Sequence, residues 1–353
     1  MGHGSGWYRS LARPLLFALP PEASHRLAHR VLGLPLPWER LGGARPDPAL
    51  EVVVAGLRLP NPVGLAAGFD KTGQHLDALG RIGFGYVVAG TFTRRPRRGN
   101  PKPRIVRYRA RGALANAMGL PNPGAEAAAA TLTRVRRTAP RLASIADQEL
   151  PDVLETHALL EPHVDAVELN ASCPNVSWGR DRDNEAHLAG LLRELGTRRT
   201  KPLFVKLPPF RTEVEREVVL ALARIAREGG AESLTCSNSL PVAEPRLAAG
   251  SGGLSGRELL EGTVENVGAV RAATEGELPI NACGGVAAIA DALACIEAGA
   301  TTVQLYTGLV YGGPGLVGEL AAGLSRAVRD RPGGLAGMLG AGPGPDAGGL
   351  LAG

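Results

Sequence analysis

From residue 60 onward the chain repeats one unit: an apolar run of strand length, a loop opened by Gly or a polar residue, then a stretch of helical period. Apolar runs stand at 63–68, 85–91, 142–146, 164–169, 203–207, 232–236, 279–283 and 302–306. Helical stretches such as 124–137, 213–228, 257–273 and 286–298 lie between many of them. Eight such runs predict the α/β fold of a (β/α)8 TIM barrel, whose site lies in the loops after the strands. An open doubly wound sheet is the rival, but no G-x-G-x-x-G follows the first strand. A length of 353 residues suits one barrel with a small addition. The expected division is a helical extension over 1–45, a barrel over 46–330 and a Gly/Pro-rich flexible tail over 331–353.

The extension reads as two short helices, one carrying Leu11, Leu15, Leu16 and Leu19, the other His25, Leu27, Ala28, Val31 and Leu32, separated by Pro20-Pro21. Either they cap the barrel bottom, or they form a hydrophobic hood that touches a membrane interface and admits a lipid-soluble partner. No apolar run approaches the roughly 18 residues of a membrane span. The net charge of +5 comes from scattered arginines, apart from Arg94, Arg95, Arg97 and Arg98 in one Pro/Gly loop, so no nucleic-acid partner is expected. The four cysteines, at 173, 236, 283 and 295, form no C-x-x-C pair and have no His partner at ligand spacing. No metal site is therefore expected, and the setting is a reducing, cytoplasmic one.

The polar residues gather where a barrel places its chemistry. Lys71, Thr91, Asn116, Asn170, Cys173, Asn175, Lys206, Ser237, Asn238, Ser239 and Tyr306 fall at strand ends or just beyond. Glu168-Leu169-Asn170-Ala171-Ser172-Cys173-Pro174-Asn175 leaves a strand and enters turn chemistry at Pro174, delivering two amides and a thiol together. The alternative is a small buried cysteine flanked by turn residues. Lys206 is one cation inside the apolar strand Leu203-Phe204-Val205-Lys206-Leu207, where it is either salt-bridged or meets an anion. Cys283-Gly284-Gly285 and Tyr306-Thr307-Gly308, after the seventh and eighth strands, offer backbone donors and close approach for a phosphate.

In six ordered motifs the chain resembles the dihydroorotate dehydrogenase family. These are Gly64 to Lys71, Gly90 to Thr93, Asn116 to Leu120, Asn170 to Asn175, Gly252 to Gly256 and Val303 to Gly308. The resemblance implies an FMN enzyme that oxidises dihydroorotate to orotate in pyrimidine biosynthesis. It implies that Ala67, Gly68, Thr91, Asn170, Lys206, Ser237, Gly256, Gly284, Gly285, Tyr306 and Thr307 bind FMN. Lys71, Asn116, Ala117, Met118, Gly119, Leu120, Asn175, Asn238 and Ser239 would bind the substrate, and Cys173 would be the base. Hydride loss from a carbon beside a ring nitrogen requires proton loss from the neighbouring carbon, which gives that base its task. Leu16 to His25 looks like the extension of the quinone-using, membrane-associated class, which implies a quinone acceptor and peripheral contact with the inner face of the cell membrane.

Four departures complicate the match. Cysteine at the base position and the Asn116 to Asn122 stretch read like the soluble class. Ala143 to Gln148 replaces an asparagine-containing motif of the quinone class, and Ala282 replaces a glycine. The alternatives are a divergent flavin oxidoreductase acting on another cyclic amide or using a soluble acceptor, and, more remotely, a non-catalytic binding protein.

Overall fold

The computed structural model describes residues 6–172, 183–329 and 331–338. Eight parallel strands close into a barrel: β1 (Val63–Asp70), β2 (Tyr86–Phe92), β3 (Arg141–Ile145), β4 (Ala166–Asn170), β5 (Leu203–Leu207), β6 (Ser233–Cys236), β7 (Ile280–Cys283) and β8 (Thr302–Leu305). Each pairs with its neighbours in chain order, and β8 pairs with β1. All eight coincide with the apolar runs to within a few residues, because strands buried on both faces read as continuous hydrophobic stretches.

Alternation decides which side chains fill the barrel. On β2, Val87 and Ala89 join the large core beneath the helices, whereas Tyr86 and Val88 pack inside the barrel with Leu142, Ala166 and Phe204. A hairpin of Val52–Val54 and Leu57–Leu59 closes the amino-terminal end by adding Val54 and Leu59 to that inner cluster. The helix Glu213–Glu228 shows how the outer ring is started: Thr212 accepts from the Glu215 N–H, and Glu215 reaches back to the Thr212 N–H.

The opposite end is covered differently. The loops after β2 and β6 contribute Ile105–Tyr108, Ala113–Asn116, Leu240–Ala243 and Ser251–Gly256 to a four-stranded antiparallel sheet above the mouth. Helices α1 (Arg13–Ala18) and α2 (Pro21–Leu32) lie at this same end. Arg107 donates to the carbonyls of Leu16 and Leu19 and lies 4.6 Å over the Phe17 ring, while Arg109 donates to the Phe17 carbonyl. Arg104 pairs with Glu22 at 2.9 Å. His25 and His29 pack on Phe69 at the carboxyl end of β1. The helices therefore stand over the mouth, and the 52–59 hairpin covers the bottom. Among the described residues no helix is long and apolar enough to cross a membrane.

Residues 331–338 differ from the expected solvated tail. Leu335 and Met338 are buried against the core, and Arg331 pairs with Glu297 at 2.7 Å. Two apolar side chains with a surface to cover hold this Gly-rich segment down.

Candidate active site at the barrel mouth

A cavity of about 2150 Å³ opens at the carboxyl ends of the strands. Its wall begins at β1, where Asp70 is fully buried and fixes the turn behind it. One carboxyl oxygen accepts from Thr72 N at 3.1 Å and Gly73 N at 2.9 Å, and the other from His75 N at 2.7 Å. That turn carries Lys71, whose Nζ donates to the Gly68 carbonyl and lies 6.0 Å over the Tyr306 ring. The Tyr306 hydroxyl donates to the same carbonyl at 3.3 Å.

Across β2, β3, β4 and the loop after β6 runs one ladder of hydrogen bonds. Ser144 Oγ and Thr91 Oγ1 are 3.0 Å apart, and Asn170 Nδ2 donates to Thr91 Oγ1 at 3.1 Å. Asn170 Oδ1 accepts from Ser172 Oγ at 2.7 Å, which in turn accepts from Asn238 Nδ2 at 2.8 Å. Asn238 Oδ1 accepts from Ser239 N at 2.8 Å. The chain of partners fixes amide orientations that an isolated asparagine would leave free.

Beside Asn170, in register on β5, stands Lys206, 5% exposed, its Nζ 3.7 Å from Cys283 Sγ on β7. Burial pushes the Cys283 thiol upward, and the charge on Lys206 opposes that shift. Past β7, Gly284 and Gly285 turn at φ +146° and +82°, and Thr307 Oγ1 donates to Ser255 Oγ at 2.9 Å.

The sheet above the mouth supplies the remaining wall. Asn116 Nδ2 donates to Gly253 O at 3.3 Å, and a Cβ on Gly253 would stand 2.1 Å from Ser239 Oγ, so only glycine lets these strands close. Asn100 donates to the carbonyls of Ala117 and Met118, and Asn122 ties Thr93, Leu120 and Gly124 together, which clamps the 116–122 loop. The cavity continues outward under α1, where Arg13, Ile105, Arg109 and Tyr311 line it.

Ala67, Gly68, Lys71, Thr91, Asn116 to Leu120, Asn170, Lys206, Asn238, Ser239, Gly256, Gly284, Gly285, Tyr306 and Thr307 all line this cavity. Ser237 does not: it is buried, and its N–H donates to Cys283 O at 3.0 Å. Cys173 and Asn175 lie outside the described residues. Sequence reasoning passed over Asp70, Asn100, Asn122, Ser144 and Ser172. Asn122 follows Pro121 and precedes Pro123-Gly124, a turn signature that could have marked it. The two serines carry no local signal.

Fold and site together define a (β/α)8 barrel with a polar-lined cavity at the carboxyl ends of its strands, the class of architecture that places enzyme sites there. A family model described as Dihydroorotate dehydrogenase matches residues 49–328. The dihydroorotate dehydrogenase (quinone) of Novosphingobium aromaticivorans is 38% identical over 338 residues, covering 91% of this chain and 95% of its own. That of Methylococcus capsulatus is 38% identical over 340 residues, covering 89% and 97%. Among solved structures, ligand-free DHODH from Eimeria tenella superposes with a TM-score of 0.79 at 28% identity, over 91% of this chain and 99% of that one. The chain belongs to the dihydroorotate dehydrogenase family.

Proposed function

We propose that this protein oxidises dihydroorotate to orotate in pyrimidine biosynthesis, with FMN as cofactor and a quinone as electron acceptor. The observation that carries the reading is the convergence of Lys71, Asn116, Asn170, Lys206 and Asn238 on one cavity from five separate segments. The names of the relatives, dihydroorotate dehydrogenase (quinone), support the reaction and the acceptor.

The residues present suit FMN. A buried cation and an ordered amide and hydroxyl ladder stand at one part of the cavity, matching a polar ring edge. Two glycines with positive φ and Thr307 stand at another, where backbone N–H groups can face a phosphate. Ala67, Gly68, Thr91, Asn170, Lys206, Gly256, Gly284, Gly285, Tyr306 and Thr307 would hold the cofactor, with Ser237 supporting from behind. Bound FMN supplies a reversible two-electron acceptor.

The chain's own residues do the rest. Lys71 and Asn116 to Leu120, with Asn175, Asn238 and Ser239, bind the carboxylate and amide edges of the substrate. Cys173 removes the proton from the ring carbon beside the carbonyl as hydride leaves the adjacent carbon. The sheet over the mouth excludes water. Helices α1 and α2 admit the quinone and, with the helical turn Tyr8–Ala12 that precedes them, rest on the membrane surface, Leu11 at 67% and Leu15 at 73% exposure facing outward.

Anaerobic addition of dihydroorotate is expected to bleach the flavin of the yellow protein, and a quinone analogue to restore it where fumarate does not. FMN-loaded protein that never bleaches would sink the reading. A second reading, a family member specialised for another cyclic amide or a soluble acceptor, is favoured by the 143–148 segment, where Ser144 occupies the flank of Thr91, and by Ala282. Orotate that leaves the melting temperature unchanged would favour it.

A further inference from the structure

Lys206 has a charged neighbour in the barrel interior. Glu168, on β4, is fully buried, and its Oε2 accepts from Thr235 Oγ1, on β6, at 3.0 Å. β5 lies between these two strands, so the Glu168 side chain crosses the inner face of β5 to reach Thr235. The registers say where it crosses. Glu168 is level with Phe204 and Thr235 is level with Lys206, which puts the carboxyl between Phe204 and the root of the Lys206 side chain. Both side chains face the Cys283 thiol, which burial pushes up, Lys206 opposing that shift and Glu168 adding to it.

Two further features belong to this well. Glu168 Oε1 and Gln304 Oε1 are buried acceptors without a hydrogen-bond partner among the described residues, and Gln304 also lines the cavity floor. One network joins them, from Glu168 through Thr235, Asn281 and the Tyr86 hydroxyl to Gln304. A carboxyl group this deep acts at low effective dielectric, where charges on neighbouring strands are felt more strongly than in water.

We propose that Glu168 is a positioning residue for the cofactor: held across β5 by Thr235, its charge offsets that of Lys206 and keeps the bound flavin harder to reduce than Lys206 alone would make it. The inference rests on the FMN reading above. A cation beside the ring stabilises the reduced, more negative form, and an anion beneath that cation takes part of the effect away. Glu168 touches neither flavin nor substrate, so its influence passes through Lys206.

The test is a spectroscopic redox titration of FMN-loaded protein. Glu168→Gln keeps the shape and the oxygen that Thr235 binds but removes the charge. It is expected to move the oxidised-to-reduced equilibrium at least tenfold toward reduced flavin, an upward shift of about 30 mV for a two-electron couple. Thr235→Val, which removes the hydroxyl that holds the carboxyl across β5, should shift the potential the same way by a smaller factor. It also carries the test if Glu168→Gln does not fold. In a Lys206→Met background the effect of Glu168→Gln should largely vanish. An unchanged potential in a folded, yellow Glu168→Gln protein overturns the inference and leaves the FMN reading intact, and a full-sized shift without Lys206 overturns the route through it. Wild-type protein that takes up no FMN overturns both.

Discussion

Asn170 shows what a single side chain is asked to do at this mouth. Its amide donates to Thr91 and accepts from Ser172, so neither end is free to rotate. Thr91→Val leaves the buried Asn170 Nδ2 without its partner, which costs roughly 1–3 kcal/mol. Urea unfolding should show that loss, and the purified variant should retain less flavin. Cys173→Ala is expected to behave oppositely, staying folded and yellow while turnover of dihydroorotate falls by about 10²- to 10⁴-fold, the usual worth of a positioned base. Stopped-flow bleaching of the flavin measures the step directly. Asn170, Lys206 and Asn238 were legible in the sequence as cavity-lining residues, because a polar residue within or just after an apolar run has few structural uses. Ser144 and Ser172 were not, since a serine acquires meaning only from the neighbour that its hydroxyl reaches.

The element that sets this chain apart from a bare barrel is the pair α1 and α2. Their apolar period was readable, but their place was not, and a cap on the barrel bottom was an equal expectation. Arg104, Arg107 and Arg109, on the strand Ile105–Tyr108 and at its two ends, decide it by binding Glu22 and the carbonyls of Leu16, Leu19 and Phe17. Exposed Leu15 carries no core packing, so Leu15→Glu is expected to change stability by less than about 0.5 kcal/mol while weakening association with anionic lipid vesicles. Cosedimentation checks this: undiminished vesicle binding of the variant would count against contact through Leu15, and wild-type protein that binds no vesicles would count against membrane contact.

Beneath α2, burial lowers His25 to a pKa of about 2, helped by Lys71, His29, Arg104 and Arg26. Burial also lowers His29 to about 4, with His75 and Lys71 adding to the shift and Asp70 opposing it. Both lie below the value of about 6.5 for a free imidazole, so the unfolded chain binds more protons in that window. Stability from this pair is fully present above about pH 6.5 and falls as pH drops, down to about 4 for His29 and about 2 for His25. His25→Gln should flatten that fall, as measured by chemical denaturation at a series of pH values.

Over the whole molecule, the cavity joins the strand ends, the sheet above them and α1 into one ligand-facing surface. A ligand that binds only this assembled state stabilises it by mass action, about 2.7 kcal/mol at a hundredfold excess over Kd. Stripping the flavin is therefore expected to lower the melting temperature by several degrees and adding FMN to restore it, as scanning calorimetry would show. Equal melting of the two forms would argue against FMN as the cofactor.

The apolar runs and their helical intervals determined the barrel, because burial on both faces of a strand leaves a mark in every few consecutive residues. The polar residues at and beyond the ends of those runs marked which end of the barrel carries the cavity. Only the tertiary structure decided that α1 and α2 cover the mouth, that Ser144 and Ser172 orient Asn170, and that Glu168 crosses β5 toward Lys206. Those are contacts between segments tens to hundreds of residues apart, and their geometry comes from barrel closure and register, which no local stretch of sequence contains.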